Sequence, residues 1–525
     1  MAHVSSVAPP AEAKARLPRQ IPFIIGNEAC ERFSFYGMRN ILTIFLVGHL
    51  LVDRGDLAAR EREATDIFHL FVMGVYLFPL LGGWLADKWL GKYRTILYLS
   101  LVYCAGHACL AIFESNPAGF YTGLFLIALG SGGIKPCVSS FVGDQFDRSN
   151  KHLAQKVYDA FYWIINFGSF FASLLIPLTL DRFGPSVAFG IPGLLMFVAT
   201  AIFWAGRKHY VHVPPSPRDP HGFLAIARTA LLAPGAGRGA GLPMAVAGVV
   251  LGVGALFTLP WIGFVSALCL GIVLFLAFFG TALSRQIDRA TAIHPAEDVE
   301  GVRTVLRILI VFFLVTPFWS LFDQKASTWI LQAQRMQLPD WGFFRNPSQM
   351  QALNPLLVMI LIPFNNVVLY PVLERMGIRV TPLRRMTAGM IFAGFSWIVA
   401  GALQLSIDAG HTTSILWQVV PYALLTFGEV LVSATGLEFA YSQAPAKLKG
   451  VIMSFWSLST TVGNLWVLLV NAGMKNAGVQ GLVATTGLSQ MAFQMFFFAA
   501  FAMAAGLAFG LYATRYKMVD NYRTA

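Results

Sequence analysis

Charged side chains are scarce in this chain of 525 residues: Asp, Glu, Lys and Arg make up only 12% of it, whereas hydrophobic residues make up 56%. A soluble domain carries about 25% charged residues. The scarcity of charge excludes an ordinary soluble protein. The abundance of apolar residues predicts an all-α protein that crosses a membrane many times.

Cysteines are also few, and the motifs of common enzymes are missing. The five cysteines stand inside apolar runs without the spacing of a metal site or a disulfide framework, so we expect small packing residues and no metal. The sequence has no His-Glu-x-x-His, nucleophile elbow or paired intramembrane aspartate motif, and we expect no appended signalling domain. These absences argue against an intramembrane enzyme or a peptide sensor.

What the sequence does contain is a series of apolar runs, each long enough to cross the hydrocarbon core of a bilayer. The fourteen predicted spans lie at 21–50, 66–87, 94–113, 119–142, 156–179, 187–205, 242–259, 262–283, 302–331, 351–372, 385–405, 414–443, 448–473 and 489–514. The seventh and eighth are the hardest to separate, because Pro260 leaves almost no loop between them. Residues 1–20 are polar, so we expect no cleaved signal peptide.

The net charge of +12 follows the predicted topology. With the N-terminus in the cytoplasm, 27 of the 38 Lys and Arg residues fall on the cytoplasmic side, seven fall on the outer side and four lie within spans. This bias predicts that both termini are cytoplasmic. The charge of the membrane surface explains the basic excess, so we expect a lipid bilayer and no nucleic acid as partner.

Two polar or Pro/Gly-rich stretches, 206–241 and 284–301, divide the spans into six, two and six. Six plus six is the arrangement of a two-bundle transporter whose site lies between the halves. The predicted organisation is a tail (1–20), an N-terminal six-helix bundle (21–206), a linker with two extra transmembrane helices (207–301), a C-terminal six-helix bundle (302–514) and a second tail (515–525).

Charge reappears on one face of the first span. At 100° per residue, one arc of roughly 140° holds Glu28, Glu31, Arg32, Phe35, Tyr36 and Arg39. A charge inside a bilayer costs about 2.5–3.5 kcal/mol even on the mildest scale. A helix that keeps four charges on one face must turn that face toward water, ions or substrate, which makes transport the leading hypothesis.

The intramembrane charges fall at two depths. Glu28, Glu31 and Arg32 share a level near the cytoplasmic side with Lys135 of the fourth span. This common level allows Lys135 to contact Glu28 or Glu31. We call these four residues the inner cluster.

Arg39, His69 and Asp323 lie in the outer half of their spans, and we call them the outer cluster. Two charged layers suit alternating access, in which each layer is a gate of ion pairs that break and re-form. Desolvation favours the neutral form of a carboxylate that has left its cationic partner, so proton binding and gate opening become one event. The alternative is that these are structural ion pairs and that His69 is an interfacial residue. Lys325 is expected to point away from the face of Asp323 and to snorkel.

Other polar and aromatic side chains are candidates for a binding site. Glu429 stands mid-span among small residues, and Asn166 and Asn354 are amides in apolar runs. Each is either a ligand contact or a hydrogen bond between helices. The aromatic residues that either line pockets or simply pack are Tyr36, Tyr76, Trp319 and Trp456.

Several of these segments together resemble the proton-dependent oligopeptide transporter (POT) family of the major facilitator superfamily. The resemblance covers about residues 21–470 and is carried by Glu28-x-x-Glu31-Arg32-Phe33-x-x-Tyr36-Gly37, Gly83 to Lys92, Phe161 to Ser169, Phe318 to Trp329, and Gly436 to Pro445. It implies the major facilitator fold with two extra transmembrane helices, which match the bacterial members.

The resemblance also implies a role for each candidate residue. Proton coupling would involve Glu28, Glu31, Arg32, His69, Lys135 and Asp323, with His69 similar to the outer-gate histidine of the animal-like branch. Arg39 would hold a peptide carboxylate, and the amino terminus would be held by Asn166, Asn354 and Glu429. Side-chain pockets would be shaped by Tyr36, Tyr76, Trp319 and Trp456. Phe35 stands where many members have Tyr, which leaves the side-chain preference open.

The expected function is uptake of di- and tripeptides by proton symport in a bacterial inner membrane. Protons are the coupling ion, and we expect no other cofactor and no obligate protein partner. A zwitterionic peptide needs an opposite charge at each end, which Arg39 and Glu429 supply. The alternative is another small solute, such as an amino acid, nitrate or a drug, and a small anion would not need Glu429.

Overall fold

The computed structural model describes residues 17–146, 153–215, 220–232, 241–443 and 449–516. Most of the two predicted tails, the linker segments 216–219 and 233–240, and the last two residues of the motif Gly436 to Pro445 lie outside the described residues.

The described residues are almost entirely helical and contain no β-strand, only an isolated bridge between Gln337 and Ser414. The helices of the first part of the chain are α1 (Ile21–Phe45), α2 (Leu57–Leu77), α3 (Pro79–Leu85), α4 (Lys92–Ile112), α5 (Pro117–Asp144), α6 (Ala154–Phe183), α7 (Pro185–Ala205), α8 (Phe223–Leu232), α9 (Gly241–Gly254), α10 (Leu259–Ile262) and α11 (Phe264–Gln286). The remaining helices are α12 (Ala296–Asp323), α13 (Thr328–Ala333), α14 (Leu353–Phe364), α15 (Tyr370–Arg375), α16 (Pro382–Asp408), α17 (Val419–Gln443), α18 (Lys449–Gly473), α19 (Ala477–Thr485) and α20 (Gln490–Arg515).

Thirteen helical stretches among the described residues are long and apolar enough to cross a membrane. They coincide with the second to the fourteenth predicted spans. The first predicted span is also helical, as α1 followed by the π-helical turn Leu46–Leu50, but its four charged residues set it apart from the thirteen. The predicted all-α polytopic fold is confirmed.

The two extra spans form a closely packed pair. The chain turns between them at Gly263, three residues beyond Pro260, and the φ angle of +77° at Gly263 is one that favours glycine. Only 17% of the apolar window of Gly241–Ile262 is buried, against 61% for Pro117–Asp144. The pair therefore lies at the periphery of the molecule.

Two separate hydrophobic cores organise the rest of the chain. One is built mainly from side chains between Ile21 and Tyr210, and we call this part the first half. The other is built from side chains between Ile226 and Phe509, and we call this part the second half. Ala326 of the second half packs into the first core, at a point where the two halves meet.

Polar contacts join the two halves at one end of the molecule. We call the end where α1 finishes and α2 begins the upper end, and the opposite end the lower end. The contacts are Arg335 to Glu61 (2.5 Å), Lys475 to Asp66 (2.9 Å), Asn346 to Asp181 (2.9 Å), Gln351 to the carbonyl oxygen of Asn40 (3.0 Å) and Thr43 to that of Ala326 (2.8 Å). The upper end is therefore closed.

Candidate functional site

A cavity of about 170 Å³ lies between the two halves, below the closed upper end. Its walls come from α1, α2 and α6 of the first half and from α12, α14 and α17 of the second. The residues that line it are Tyr36, Arg39, Asn40, Tyr76, Tyr162, Ile165, Asn166, Ser169, Ser173, Trp319, Phe322, Lys325, Gln351, Asn354, Pro355, Glu429 and Ser433. Tyr162 is 41% exposed, so the cavity wall is incomplete on the side of this residue.

Seven of the eight residues predicted to contact substrate are among the lining residues. The exception is Trp456, whose ring packs edge-on against Trp319 with centroids 5.8 Å apart. A Cβ atom at Gly436 would overlap the Trp456 ring, so the ring fits only because residue 436 is glycine. Trp456 therefore packs behind Trp319 in this structure, and its role in a side-chain pocket stays a prediction.

Opposite charges meet on the second-half wall of the cavity. The ammonium group of Lys325 donates to Asn354 Oδ1 (2.7 Å), and Asn354 Nδ2 donates to Glu429 Oε2 (2.5 Å) and to the hydroxyl of Thr426 (3.0 Å). Asn354 thus holds a cation and a carboxylate at the same time. Asn166, on the first-half wall, donates to the carbonyl oxygen of Tyr162 (3.0 Å) and leaves its own Oδ1 available.

The prediction that Lys325 snorkels is wrong, because the residue is only 5% exposed and its Nζ lies 3.3 Å from the centre of the Phe322 ring. In a continuous α-helix Lys325 would point away from Asp323. A 3₁₀ turn (Gln324–Ala326) follows α12, and Lys325 lines the cavity whereas Asp323 does not, so the two side chains do point in different directions. What the sequence could not reveal is that the face of Lys325 meets Phe322 and Asn354.

The outer cluster spans the two halves at the top of the cavity. Arg39 of α1 donates to Asp323 Oδ1 of α12 (2.6 Å), and the guanidinium lies over the ring of Phe68 at 5.3 Å. Arg39 and Asp323 are both almost fully buried. A buried pair that joins the halves holds the upper end closed only while both partners are present, because removing one leaves an uncompensated charge.

His69 belongs to this cluster through an amide that we did not predict. Asn464 of α18 donates through Nδ2 to Asp323 Oδ2 (2.8 Å) and accepts through Oδ1 from His69 Nδ1 (2.6 Å). Because Asn464 Oδ1 can only accept, the network assigns the proton of the neutral imidazole to Nδ1. Nε2 of His69 then accepts from the hydroxyl of Ser327 (2.9 Å). Asn464 is an amide in an apolar run, the same signal that singled out Asn166 and Asn354.

The inner cluster is arranged differently from our expectation. Arg32 pairs with both carboxylates of its own helix, with Glu28 Oε1 at 3.1 Å and with Glu31. No carboxylate of the described residues lies within ion-pair distance of Lys135, so the predicted contact with Glu28 or Glu31 is wrong in this structure. Its Nζ instead lies over the ring of Tyr76 at 3.9 Å. The aromatic face offers the ammonium group a partner that a charge pattern does not reveal.

Phe35 lies between the two cations of the inner cluster. The guanidinium of Arg32 lies 5.6 Å from the centre of the Phe35 ring, and Nζ of Lys135 lies 5.8 Å from the same centre. Phe35 is buried and is not among the residues that line the cavity. The hydroxyl that a tyrosine would add here belongs to the cation layer rather than to the cavity wall.

Comparison with known proteins gives consistent matches. A sequence model of the POT family matches residues 93–487. "Peptide transporter family 1" of Drosophila melanogaster is 35% identical over 419 residues, which cover 77% of this chain and 49% of that protein. "Solute carrier family 15 member 2" of Homo sapiens is 34% identical over 407 residues, which cover 74% of this chain and 49% of that protein. The chain therefore spans about half the length of the curated relatives it matches.

Solved structures match over nearly the whole chain. The POT family transporter PepTSo is 63% identical, with a TM-score of 0.94 and coverage of 97% of this chain and 100% of that one. An auto-inhibited POT family peptide transporter is 62% identical, with a TM-score of 0.94 and coverage of 97% and 99%. A mutant of a peptide transporter POT in complex with alafosfalin is 27% identical, with a TM-score of 0.72 and coverage of 95% of each chain.

Proposed function

The chain belongs to the POT family and is a multi-pass membrane protein, and from this premise we propose that it imports di- and tripeptides by proton symport. The observation that carries the proposal is the cavity between the halves, whose walls hold fixed charges of both signs. Arg39 and Lys325 supply positive charge, and Glu429 supplies negative charge. The Drosophila melanogaster relative is named as a peptide transporter, and one solved neighbour holds alafosfalin.

The peptide carboxylate binds at Arg39 in this proposal. Arg39 is occupied by Asp323 in the closed state, but its Nε has no hydrogen-bond partner among the described residues. A carboxylate that enters the cavity from below can therefore approach the guanidinium and compete with Asp323. Bidentate contact with a guanidinium is the geometry that carboxylates favour.

The amino terminus of the peptide binds at Glu429, with Asn354 and Asn166 beside it. Glu429 already accepts from Asn354, which leaves its other oxygen for the ammonium group of the peptide. Tyr36, Tyr76 and Trp319 shape the space for the side chains. Contacts directed at the two ends and a wall of aromatic rings give broad specificity, because neither depends on one particular side chain.

Proton coupling is proposed for Glu28, Glu31, Arg32, His69, Lys135 and Asp323. In the inner cluster two carboxylates share Arg32. Taken with Lys135, the four charges sum to zero when both carboxylates are ionised, so a proton bound to either adds a buried positive charge. That imbalance favours a rearrangement in which one carboxylate and the guanidinium separate.

Alternating access follows from the two cores. We propose that the first and second halves rock about the cavity, that the closed upper end faces outward and that both termini are cytoplasmic in an inner membrane. The bias of Lys and Arg toward the lower-end loops supports this orientation. The division into two bundles with a linker at 207–301 remains our prediction for the units that move.

Uptake of labelled dialanine into proteoliposomes tests the proposal. An imposed inward proton gradient should drive accumulation above the external concentration, and unlabelled di- and tripeptides should compete. Nitrate and single amino acids at the same concentration should not compete. Uptake that does not depend on the gradient would refute symport. Stronger competition by nitrate or by an amino acid than by peptides would show that this solute, and not a peptide, is the substrate.

A further inference from the structure

Two amide side chains meet at the top of the cavity, where the two halves close. Asn40 stands on α1 of the first half, and Gln351 lies in the 3₁₀ turn Pro347–Ala352 just before α14 of the second half. Both residues line the cavity, and they are only 3% and 4% exposed. Gln351 Nε2 donates to the backbone carbonyl oxygen of Asn40 (3.0 Å), so the two residues are neighbours across the boundary between the halves.

Hydrogen bonds fix which way each amide group points. A backbone carbonyl oxygen can only accept, so Gln351 must present its NH₂ group to Asn40. Asn40 Nδ2 contacts the hydroxyl of Ser173, and that hydroxyl donates to the carbonyl oxygen of Ser169 (2.7 Å). Because the single proton of the hydroxyl is used in this way, Asn40 must also offer its NH₂ group rather than its oxygen.

The two amide oxygens are left as acceptors. Across the residues that the structure describes, Oδ1 of Asn40 and Oε1 of Gln351 accept no hydrogen bond. Neither is among the fully enclosed polar atoms that lack a partner, so each keeps surface that a molecule in the cavity can reach. A buried acceptor without a donor is unfavourable, and a donor on the substrate would remove that cost.

This pair of acceptors lies beside the proposed site for the peptide carboxylate. Asn40 follows Arg39 directly on α1, so their Cα atoms are about 3.8 Å apart. A peptide whose carboxylate binds at Arg39 therefore places its C-terminal residue closest to the two oxygens. The ammonium group of the same peptide is assigned to Glu429, so the side chain of the C-terminal residue is the group that can supply a donor here.

The charges around the cavity favour a neutral donor. Arg39 and Lys325 both line the cavity, so a cationic side chain at this position would meet two positive charges. A hydroxyl or a primary amide supplies an O–H or N–H donor without a charge.

We propose that Asn40 and Gln351 form a subsite for a hydroxyl or amide side chain on the C-terminal residue of the peptide. The inference rests on the proposed function, because it takes the peptide carboxylate at Arg39. One oxygen comes from each half, so the substrate side chain binds at the boundary that closes the upper end. The preference is modest and is added to a broad specificity, because one neutral hydrogen bond changes affinity by about 2- to 12-fold.

Alanylserine and alanyl-2-aminobutyrate test the proposal, because they differ only by a hydroxyl in place of a methyl group. Their competition with labelled dialanine is measured in proteoliposomes, and their effect on the thermal unfolding midpoint of the purified full chain reports binding without transport. We expect alanylserine to compete at a concentration about 2- to 12-fold lower and to raise the midpoint more. An apolar wall would give the opposite order, because it would desolvate the hydroxyl without pairing it.

Gln351→Met removes one of the two oxygens and keeps the length of the side chain. It should bring the ratio between the two peptides to one or reverse it. Asn40→Leu removes the other oxygen and should do the same from the first half.

Thr43→Val is the matched control, because Gln351→Met also removes a hydrogen bond that closes the upper end. Thr43 stands one turn from Asn40 and donates to the carbonyl oxygen of Ala326 (2.8 Å) across the same boundary, but it is not among the residues that line the cavity. Its loss should leave the ratio between the two peptides at the wild-type value, whatever it does to the rate of uptake.

Equal binding of the two peptides by the wild-type protein, or a preference for 2-aminobutyrate, overturns the subsite and leaves the proposed function intact. A preference that survives in both Gln351→Met and Asn40→Leu, or that Thr43→Val also removes, overturns its assignment to these two oxygens. If neither peptide competes or shifts the midpoint, the proposed function fails and the subsite fails with it.

Discussion

Replacing Asn464 by alanine is expected to open the upper end of the molecule. Asn464 stands on α18 of the second half and accepts from His69 of the first half, so this hydrogen bond exists only while the halves are together. Without it, Nδ1–H of His69 is buried and unpaired in the closed state, and it meets water when the end opens. A buried donor without a partner costs about 1–3 kcal/mol, which lowers the ratio of closed to open molecules by about 5- to 150-fold.

Distances between spin labels on the upper-end loops measure this shift. Val52 and Phe343 are 47% and 53% exposed, so labels at these positions, with the native cysteines replaced by alanine, perturb little. The distance distribution of Asn464→Ala should gain a longer component that is minor in the parent protein. Asn464→Asp should close again only at low pH, because its carboxylate faces Asp323 unless a proton lies between them.

Asn27→Ala is the control for this experiment. Asn27 is an equally buried amide that donates to the carbonyl oxygen of Ala199, but both residues belong to the first half. Its loss should lower the unfolding midpoint without changing the label distances. If Asn464→Ala also lowers only the unfolding midpoint, Asn464 is a structural amide and the link between His69 and Asp323 has no part in closure.

Three further predictions follow from the same geometry. Glu31→Gln should abolish proton-driven accumulation and preserve counterflow of peptide, because it removes a proton site but not the cavity; loss of both in a folded protein would make Glu31 structural. Glu429→Gln should weaken competition by peptides about 10- to 100-fold, the value of a hydrogen bond to a charged group, and should leave N-acetylated peptides unaffected; an equal loss for both would exclude an amino-terminal site. His69→Ala should shift the pH dependence of uptake, and an unchanged profile would return His69 to a packing role.

The layer of charges on α1 was predictable because a bilayer penalises charge so strongly. Glu28, Glu31, Arg32 and Arg39 share a face and are all buried, and Arg39 lines the cavity and pairs with Asp323 of the second half. Because a charge inside the membrane is so costly, a charged residue found there has a partner or a function. The same penalty singled out Asp323, and the structure pairs it with Arg39, which was predicted to lie at the same depth.

The partners of the other cations were not predictable from depth alone. Lys135 contacts aromatic rings of α1 and α2 instead of a carboxylate, and a pattern of charged residues does not reveal an aromatic partner on a neighbouring helix. Lys325 contacts the amide of Asn354 and the ring of Phe322, and residue periodicity does not reveal these partners. The role of Asn464 could be predicted only by knowing that α2, α12 and α18 meet at one point, which is a property of the tertiary fold.

The pair of Arg39 and Asp323 explains why peptide and proton should move together under the proposed function. A peptide carboxylate that takes Arg39 leaves Asp323 buried without its counter-charge, and breaking a buried pair in this way costs about 3–5 kcal/mol. Two routes remove that penalty. Asp323 can take up a proton itself, or His69 can take up a proton and supply the positive charge, since Asn464 hydrogen-bonds both His69 and Asp323. Either route requires one proton for each exchange of carboxylates at Arg39. The exchange also breaks the pair of Arg39 and Asp323, which closes the upper end. Binding of the peptide carboxylate therefore also opens this end.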